Sequence, residues 1–214
     1  MKLKKIASLM LAGVMAVSML TACGGNTINN GGEGEGEGQI STSNSATILH
    51  DAMNGDARKM TTPAANTALD AALKNAVDTY FQNDGFSGVT TNVVAKEKET
   101  SKIADALISA MSAKTNISQD LADTKDNDKV TTVVKLYAVD ASVSDTYALE
   151  KVATVIENSV AGLKDKSSNG EWNYTYTVSA SIVTKPITSS MVEGITGGVK
   201  YIAVAVTQTP AKVV

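Results

Sequence analysis

The spacing of apolar residues predicts three amphipathic helices and a shorter helical segment. The clearest helix follows Thr62 and Pro63, which suit a helix cap and a first helical turn. A second helix is predicted after Ser101, and a third from Ser144 or Asp145 to about Leu163. Residues 48–60 are predicted to form a short helix, which Asn54-Gly55 would weaken. The apolar stripe of the clearest helix is Leu69, Ala72, Leu73, Ala76, Val77, Tyr80 and Phe81.

Four stretches have the composition or the alternation typical of strands. Residues 89–96 and 130–140 are rich in β-branched side chains, and residues 200–208 form the last apolar run. Residues 172–184 alternate with a period of two, which predicts a sheet with one covered face and one face in water. One side of that strand carries Trp172, Tyr174, Tyr176, Val178, Ala180 and Ile182, and the other carries Asn173, Thr175, Thr177, Ser179, Ser181 and Val183.

These elements predict an α+β fold in two layers. The sheet is expected to have three or four mostly antiparallel strands, with about three helices packed on one face. Strands and helices also alternate along the chain, so a mixed, partly parallel sheet stays open as the alternative.

The N-terminal residues have the three parts of a secretory signal. Lys2, Lys4 and Lys5 precede an uncharged apolar run from Ile6 to Leu20, and small residues follow. The run is shorter than the roughly 20 residues that span a bilayer as a helix, so we expect cleavage. Its end, Leu20-Thr21-Ala22-Cys23, resembles the lipobox of bacterial lipoproteins. The resemblance implies that Cys23 becomes the mature N-terminus and carries a diacylglyceryl group on its sulfur, often with a further acyl chain on its amine.

The lipobox and the composition after it divide the chain into three parts. Residues 1–22 are the predicted signal peptide, residues 23–45 a lipidated cysteine with a tether, and residues 46–214 one globular domain. The tether contains Glu33-Gly34-Glu35-Gly36-Glu37-Gly38 and almost nothing apolar. Such a composition cannot offset its own ordering entropy, so we expect a disordered coil whose ends lie roughly 25 Å apart.

Charge and cysteine content exclude several classes of function. Loss of three lysines with residues 1–22 would leave 16 basic and 22 acidic residues, a formal charge of −6. An acidic chain with Arg58 as its single arginine is not expected to bind nucleic acid. Cys23 is the only cysteine, so neither a disulfide nor a thiolate metal site is available to the domain.

Few residues offer catalytic chemistry. His50 is the single histidine, it follows the tether, and we expect it to contact solvent. No serine lies three residues before a lysine, and the zinc-protease and phosphate-loop motifs are absent. We therefore predict no cofactor, no metal and no enzymatic activity. An enzyme using carboxylates alone would need two of Asp140, Glu150, Glu157 and Glu171 to face each other.

The acidic run in residues 116–129 is predicted to be a solvated loop. Its four aspartates could in principle supply oxygen ligands to Ca²⁺. The central glycine and the terminal glutamate of a calcium-binding helix–loop–helix are both missing, so a solvated loop is the preferred interpretation. The aspartates are Asp120, Asp123, Asp126 and Asp128.

The sequence thus predicts a non-catalytic surface protein of a bacterium. Its membrane contact is the lipid anchor, and its partner is an unidentified protein or glycan. The alternative is a carbohydrate-binding module in which Trp172, Tyr174 and Tyr176 are exposed together and stack on sugar rings. The aliphatic continuation of the same face instead favours a core position for at least Tyr176.

Overall fold

The computed structural model describes residues 42–84, 89–122, 128–187 and 197–213. These residues form an α+β fold, which confirms the predicted class, but they contain a five-stranded mixed sheet and six α-helices rather than three or four strands and about three helices. The strand order is β1-β4-β5-β3-β2, with β1 parallel to β4 and the other three pairings antiparallel. The described elements are α1 (Thr42–Ala52), α2 (Gly55–Met60), β1 (Thr61–Pro63), α3 (Thr67–Tyr80), β2 (Val94–Lys96), α4 (Lys102–Ala110), α5 (Ile117–Asp120), β3 (Thr131–Asp140), α6 (Asp145–Ala161), β4 (Trp172–Pro186) and β5 (Gly198–Lys212).

Helices cover both faces of the sheet, so the prediction of helices on one face only is wrong. On the first face, Val204 and its neighbours pack with side chains of α1, α2, α5 and α6. On the second face, Ala203 and Tyr201 pack with side chains of α3 and α4. Successive residues of β5 therefore enter different cores, because side chains alternate across a strand. The domain has three layers, and the sheet is the middle one.

The small polar side of β4 is only partly in water, contrary to the prediction of a wet face. Ser179 and Ser181 are buried, and α3 packs against this strand. Thr175 and Asn173, nearer the start of the strand, are exposed. Serine and alanine side chains are short enough to let a helix approach the sheet closely, and this accounts for the covered half.

The N-terminal elements differ from the predicted ones in two places. Residues 48–60 do not form one helix, because Asn54 ends the first and caps α2 by accepting hydrogen bonds from the N–H groups of Asp56 and Ala57. Thr62 and Pro63 lie in β1 rather than at a helix start, and Asn66 caps α3 instead. Proline favours extended backbone at the residue before it, which suits a short strand beside β4.

Other boundaries also move. Strand β2 is shorter than the predicted 89–96, β5 is longer than 200–208, and α5 lies within the predicted loop 116–129. Helix α1 includes residues 42–45, which the tether was expected to contain. The rest of the predicted tether and the signal peptide lie outside the described residues.

The predicted helices after Ser101 and Ser144 are confirmed. The Ser101 hydroxyl accepts a hydrogen bond from the N–H of Ala104 at 3.1 Å, and the Ser144 hydroxyl accepts one from Tyr147 at 3.3 Å. Both are N-caps, since each satisfies a backbone donor that has no partner within the helix. Among the described helices, none has the length and apolar character needed to cross a membrane.

The end of α3 is joined to the end of β4 by a charged cluster. Asp78 lies 2.5 Å from the ammonium of Lys185 and 2.6 Å from that of Lys74. Hydrogen bonds from Lys185 and then Lys74 lower the pKa of Asp78 to about 2. The ionised carboxylate is therefore the form that the folded state prefers.

Replacement of Asp78 tests this cluster through its pH dependence. A pKa lowered in the folded state adds stability above the unfolded value of 3.8, and this contribution is lost as pH falls towards 2. The Asp78→Asn protein should therefore unfold more easily than the wild type at pH 6. The difference should shrink between about pH 4 and pH 2. Thermal unfolding across this range measures it, and a difference that is independent of pH would contradict the assignment.

Gly198, the first residue of β5, lies where a side chain does not fit. A Cβ built on it would lie 2.4 Å from the carbonyl oxygen of Lys185, and its φ is +154°. This oxygen and the backbone of Gly198 are both held in the β4–β5 ladder, so neither can move aside at low cost. Close approach of the two strands at this point therefore requires glycine.

We expect Gly198→Ala to lower the free energy of unfolding by about 1–3 kcal/mol, through strain at this strand start. Gly55 is the matched control, because no atom lies within 4 Å of a Cβ built there. Gly55→Ala should leave stability unchanged or raise it slightly. Urea unfolding of both variants makes the comparison, and equal effects would contradict the steric explanation.

Candidate functional site

The aromatic group considered as an alternative ligand platform is not exposed. Tyr174 and Tyr176 are only 5% and 3% exposed, and both belong to the core on the first face of the sheet. Trp172 is partly buried and packs against that core. Joint exposure of Trp172 with a neighbouring tyrosine is the condition for stacking on sugar rings, so this form of the carbohydrate hypothesis is wrong.

The hydroxyl of Tyr176 shows why this side chain belongs to the core. It donates a hydrogen bond to the carbonyl of Lys164 at 2.7 Å and accepts one from Nε2 of Gln208 at 2.9 Å. Gln208 is itself buried and also donates to the carbonyl of Leu121 at 3.2 Å. The network joins β4 and β5 to the segments that flank α5 and α6, and it leaves the tyrosine no free group for a ligand.

His50 was expected to contact solvent, but its side chain is mostly buried and makes structural hydrogen bonds. Its side chain is 16% exposed. Nε2 lies 3.2 Å from the carbonyl oxygen of Arg58 and 3.1 Å from that of Thr61. Both neighbours are acceptors, so Nε2 carries a proton and donates to them. The imidazole thereby ties α1 to the end of α2 and the start of β1.

Of the four carboxylates considered for acid–base chemistry, Glu150 and Glu157 lie on α6, Asp140 ends β3 and Glu171 precedes β4. Glu157 accepts a hydrogen bond from the backbone N–H of Asn54, and Glu171 accepts one from the side chain of Asn169. Asp140 is buried at the end of β3 and accepts one from the N–H of Ser142. Glu150 is exposed on α6. Each position is accounted for by local structure.

The acidic run does not act as a unit in the part that is described. Asp120 accepts hydrogen bonds from the N–H groups of Thr115 and Asn116, which closes the turn before α5. Asp123 and Asp126 lie outside the described residues, as does Cys23. In the described ranges, no three histidine, cysteine, aspartate or glutamate side chains come close enough together to hold a metal ion.

Lys200 is a buried charge that the sequence did not single out. Its side chain is 7% exposed and its ammonium lies 2.5 Å from the carboxylate of Asp145. The same ammonium donates to the carbonyl of Val143. This pair joins β5 to the first turn of α6, where a carboxylate is also favoured by the helix dipole. Both partners of the ammonium belong to the segment that begins α6, so the ion pair has a structural role.

A row of threonines crosses four neighbouring strands on the second face of the sheet. Thr62 pairs with Thr177, Thr177 with Thr207, and Thr207 with Thr132, so the row runs through β1, β4, β5 and β3. Residues paired directly across a sheet point to the same side of it. The hydroxyls of Thr132 and Thr207 lie 2.9 Å apart, as this arrangement requires.

A second, shorter row adjoins the first. Thr175 pairs with Thr209, two residues from Thr177 and Thr207 along the same strands. Thr62, Thr175 and Thr209 are exposed, and the other three threonines are partly exposed. The name threonine surface is used below for these six residues: Thr62, Thr132, Thr175, Thr177, Thr207 and Thr209.

The threonine surface begins where the helical layer ends. The next row in the direction of α3 and α4 is Ser179, Ala205 and Val134, and all three are buried. In the other direction, Asn173 and Ala211 pair and are exposed. The second face of the sheet is therefore covered at one end and accessible at the other.

The chemistry of the threonine surface is uniform. Each hydroxyl can donate one hydrogen bond and accept two, and each methyl group offers a small apolar contact. Hydroxyl groups repeat about 4.8 Å apart across strands and about 6.8 Å apart along a strand. None of the six side chains is ionisable. The six side chains supply hydrogen-bonding groups, and none of them is itself a general acid or base.

A signal for this surface exists in the sequence as two Thr-x-Thr motifs. Thr175-Tyr176-Thr177 and Thr207-Gln208-Thr209 each place two threonines on one side of a strand. Their juxtaposition depends on the β4–β5 register, and the contribution of Thr62 depends on β1, which was expected to begin a helix. The row across four strands could not be assembled without these pairings.

Comparison with known proteins identified no similar protein. No family model matches the chain, and neither the curated proteins nor the solved structures gave a match.

Replacement of Tyr176 by phenylalanine tests the core position of the aromatic group. The change removes one of the two hydrogen bonds that Gln208 Nε2 donates and the donor to the Lys164 carbonyl, so the free energy of unfolding should fall by about 1–3 kcal/mol. Tyr147→Phe is the control, because Tyr147 is 45% exposed on α6. That variant should lie within about 0.5 kcal/mol of wild type. Equal stabilities in urea unfolding would contradict the proposed network.

Proposed function

We propose that this protein is a lipid-anchored bacterial surface protein that holds a non-catalytic domain outside the cell membrane. The observation that carries the proposal is Leu20-Thr21-Ala22-Cys23, preceded by a basic start and an uncharged apolar run. Such a segment directs export, and the cysteine at its end is the residue that bacterial lipoproteins acylate. The location is the outer side of the cell membrane or the cell surface.

The strength of such an anchor follows from its acyl chains. Each buried CH₂ group contributes about 0.8 kcal/mol, and one chain alone gives marginal, reversible binding. Two or three chains on Cys23 make attachment effectively permanent. Residues 24–41, between Cys23 and the start of α1, would act as the tether. Their Gly- and Glu-rich composition favours a segment that lets the domain stand clear of the lipid headgroups.

The side chains of the domain support a non-catalytic role. The single histidine is engaged with two backbone carbonyls. The carboxylates Glu157, Glu171 and Asp140 each accept a hydrogen bond from a neighbouring N–H group. The six threonines on the accessible part of the sheet carry hydroxyl groups, and none of these six side chains is ionisable.

Acylation of Cys23 is tested by growing cells on a labelled fatty acid. The wild-type protein should carry the label and sediment with membranes. The Cys23→Ser protein should carry no label, because the hydroxyl of serine does not replace the thiol that is acylated. Ser18→Ala, a change inside the apolar run, is the control and should leave labelling intact. An unlabelled wild-type protein that is free in the medium would refute the proposal.

A further inference from the structure

We propose that the threonine surface binds a neutral polysaccharide of the cell envelope or the cell's surroundings. The inference rests on the proposed function, because that function places the domain where such polymers occur. It assigns a binding site to a part of the sheet different from the aromatic residues that the sequence suggested. Three properties of the surface point to this ligand: its regular spacing, its two-sided hydrogen-bonding chemistry and its lack of charge.

The spacing favours a polymer over a small molecule. The row through Thr62, Thr177, Thr207 and Thr132 spans three strand-to-strand steps, or about 14 Å. A small ligand is usually held in a concave pocket that buries most of its surface. A sheet face presents repeated, equivalent groups instead, and a ligand with repeated groups can contact several of them at once.

The chemistry of the threonines favours sugar hydroxyls. A threonine hydroxyl both donates and accepts, so it pairs with another hydroxyl in either direction. The methyl group beside each hydroxyl can pack against the C–H groups of a sugar ring. Thr132 and Thr207 already form such a hydroxyl pair with each other. A sugar hydroxyl would join this pair without leaving a buried donor or acceptor unsatisfied.

The absence of charge favours a neutral ligand. Anionic polymers are bound chiefly by lysine and arginine, and none is among the six residues. One charged residue, Lys166, pairs with Asn173 one row beyond Thr175 and so lies next to the six threonines rather than among them. Lys114 and Lys212 pair with Val133 and Trp172, whose side chains belong to the opposite face. Desolvation of neutral hydroxyls also costs less than desolvation of charges.

The test uses the full-length acylated protein in detergent micelles and three insoluble neutral glycans: cellulose, chitin and starch. Depletion of protein from solution measures the apparent Kd for each. The wild type should bind at least one of them. The double variant Thr177→Val, Thr207→Val keeps β-branched side chains but loses two central hydroxyls. It should bind that glycan about ten-fold or more weakly.

The matched control is Thr184→Val. Thr184 is exposed on the same strand, but its position in the alternation places it on the opposite face. This variant should bind within about two-fold of wild type. Thermal unfolding of all three proteins checks that they are folded. A folded double variant with wild-type affinity overturns the inference, as does a wild type that none of the three glycans retains.

Two further outcomes are decisive. A wild type that sediments as a dimer, with the double variant a monomer, would make the threonine surface a self-association interface and overturn the inference. The Cys23→Ser protein should keep its affinity for the glycan, because Cys23 is not part of the surface. Labelled protein that binds no glycan therefore refutes this inference alone. Unlabelled protein that still binds refutes the anchor alone.

Discussion

Strand β5 is the constraint on which the rest of the domain depends. It lies between β4 and β3, and its residues 199–206 are buried whichever face of the sheet they point to. An apolar strand of this kind must be covered on both sides, because side chains alternate and neither set can stay in water. One helical layer would leave Tyr201, Ala203 and Ala205 exposed. The second layer, α3 and α4, is therefore a requirement of the strand sequence.

The two layers cover different lengths of the sheet. On the first face, the core extends from Ile202 to Tyr174, close to the start of β4. On the second face, it extends from Val199 to Ala205 and stops there. The side chains at the end of this cover become smaller and then polar, from Leu136 through Ser179 to Thr177. The strand residues beneath α3 and α4 are thus apolar or small, and those beyond the two helices are polar.

Much of the local structure was predictable, and the layering was not. Periodicity found α3, α4 and α6, and serine caps placed the starts of α4 and α6, because these signals act within one turn of helix. The number of helical layers was inferred from β4 alone, whose Ser179 and Ser181 look solvated. The apolar run of β5 contained the contrary information, since buried strands of this kind lack alternation. The helix start predicted at Thr62 and Pro63 was wrong because the same residues suit both a helix start and a short edge strand.

The candidate site was less predictable than the fold, because it exists only through pairing between distant strands. A platform of aromatic rings can be recognised in one strand, but Tyr174 and Tyr176 are drawn into the core by an aliphatic face and by Gln208. Thr175 and Thr177 on the other side of β4 were expected to face solvent, and for a single strand that is a sufficient explanation. Solvent exposure alone does not explain why all six positions of the threonine surface are threonine. A sheet face that only needs to remain soluble can carry lysine and glutamate, which also discourage unwanted contacts. Six threonines without an ionisable side chain keep the face wettable while lowering the free-energy cost of removing its water, and that combination suits contact with a neutral partner.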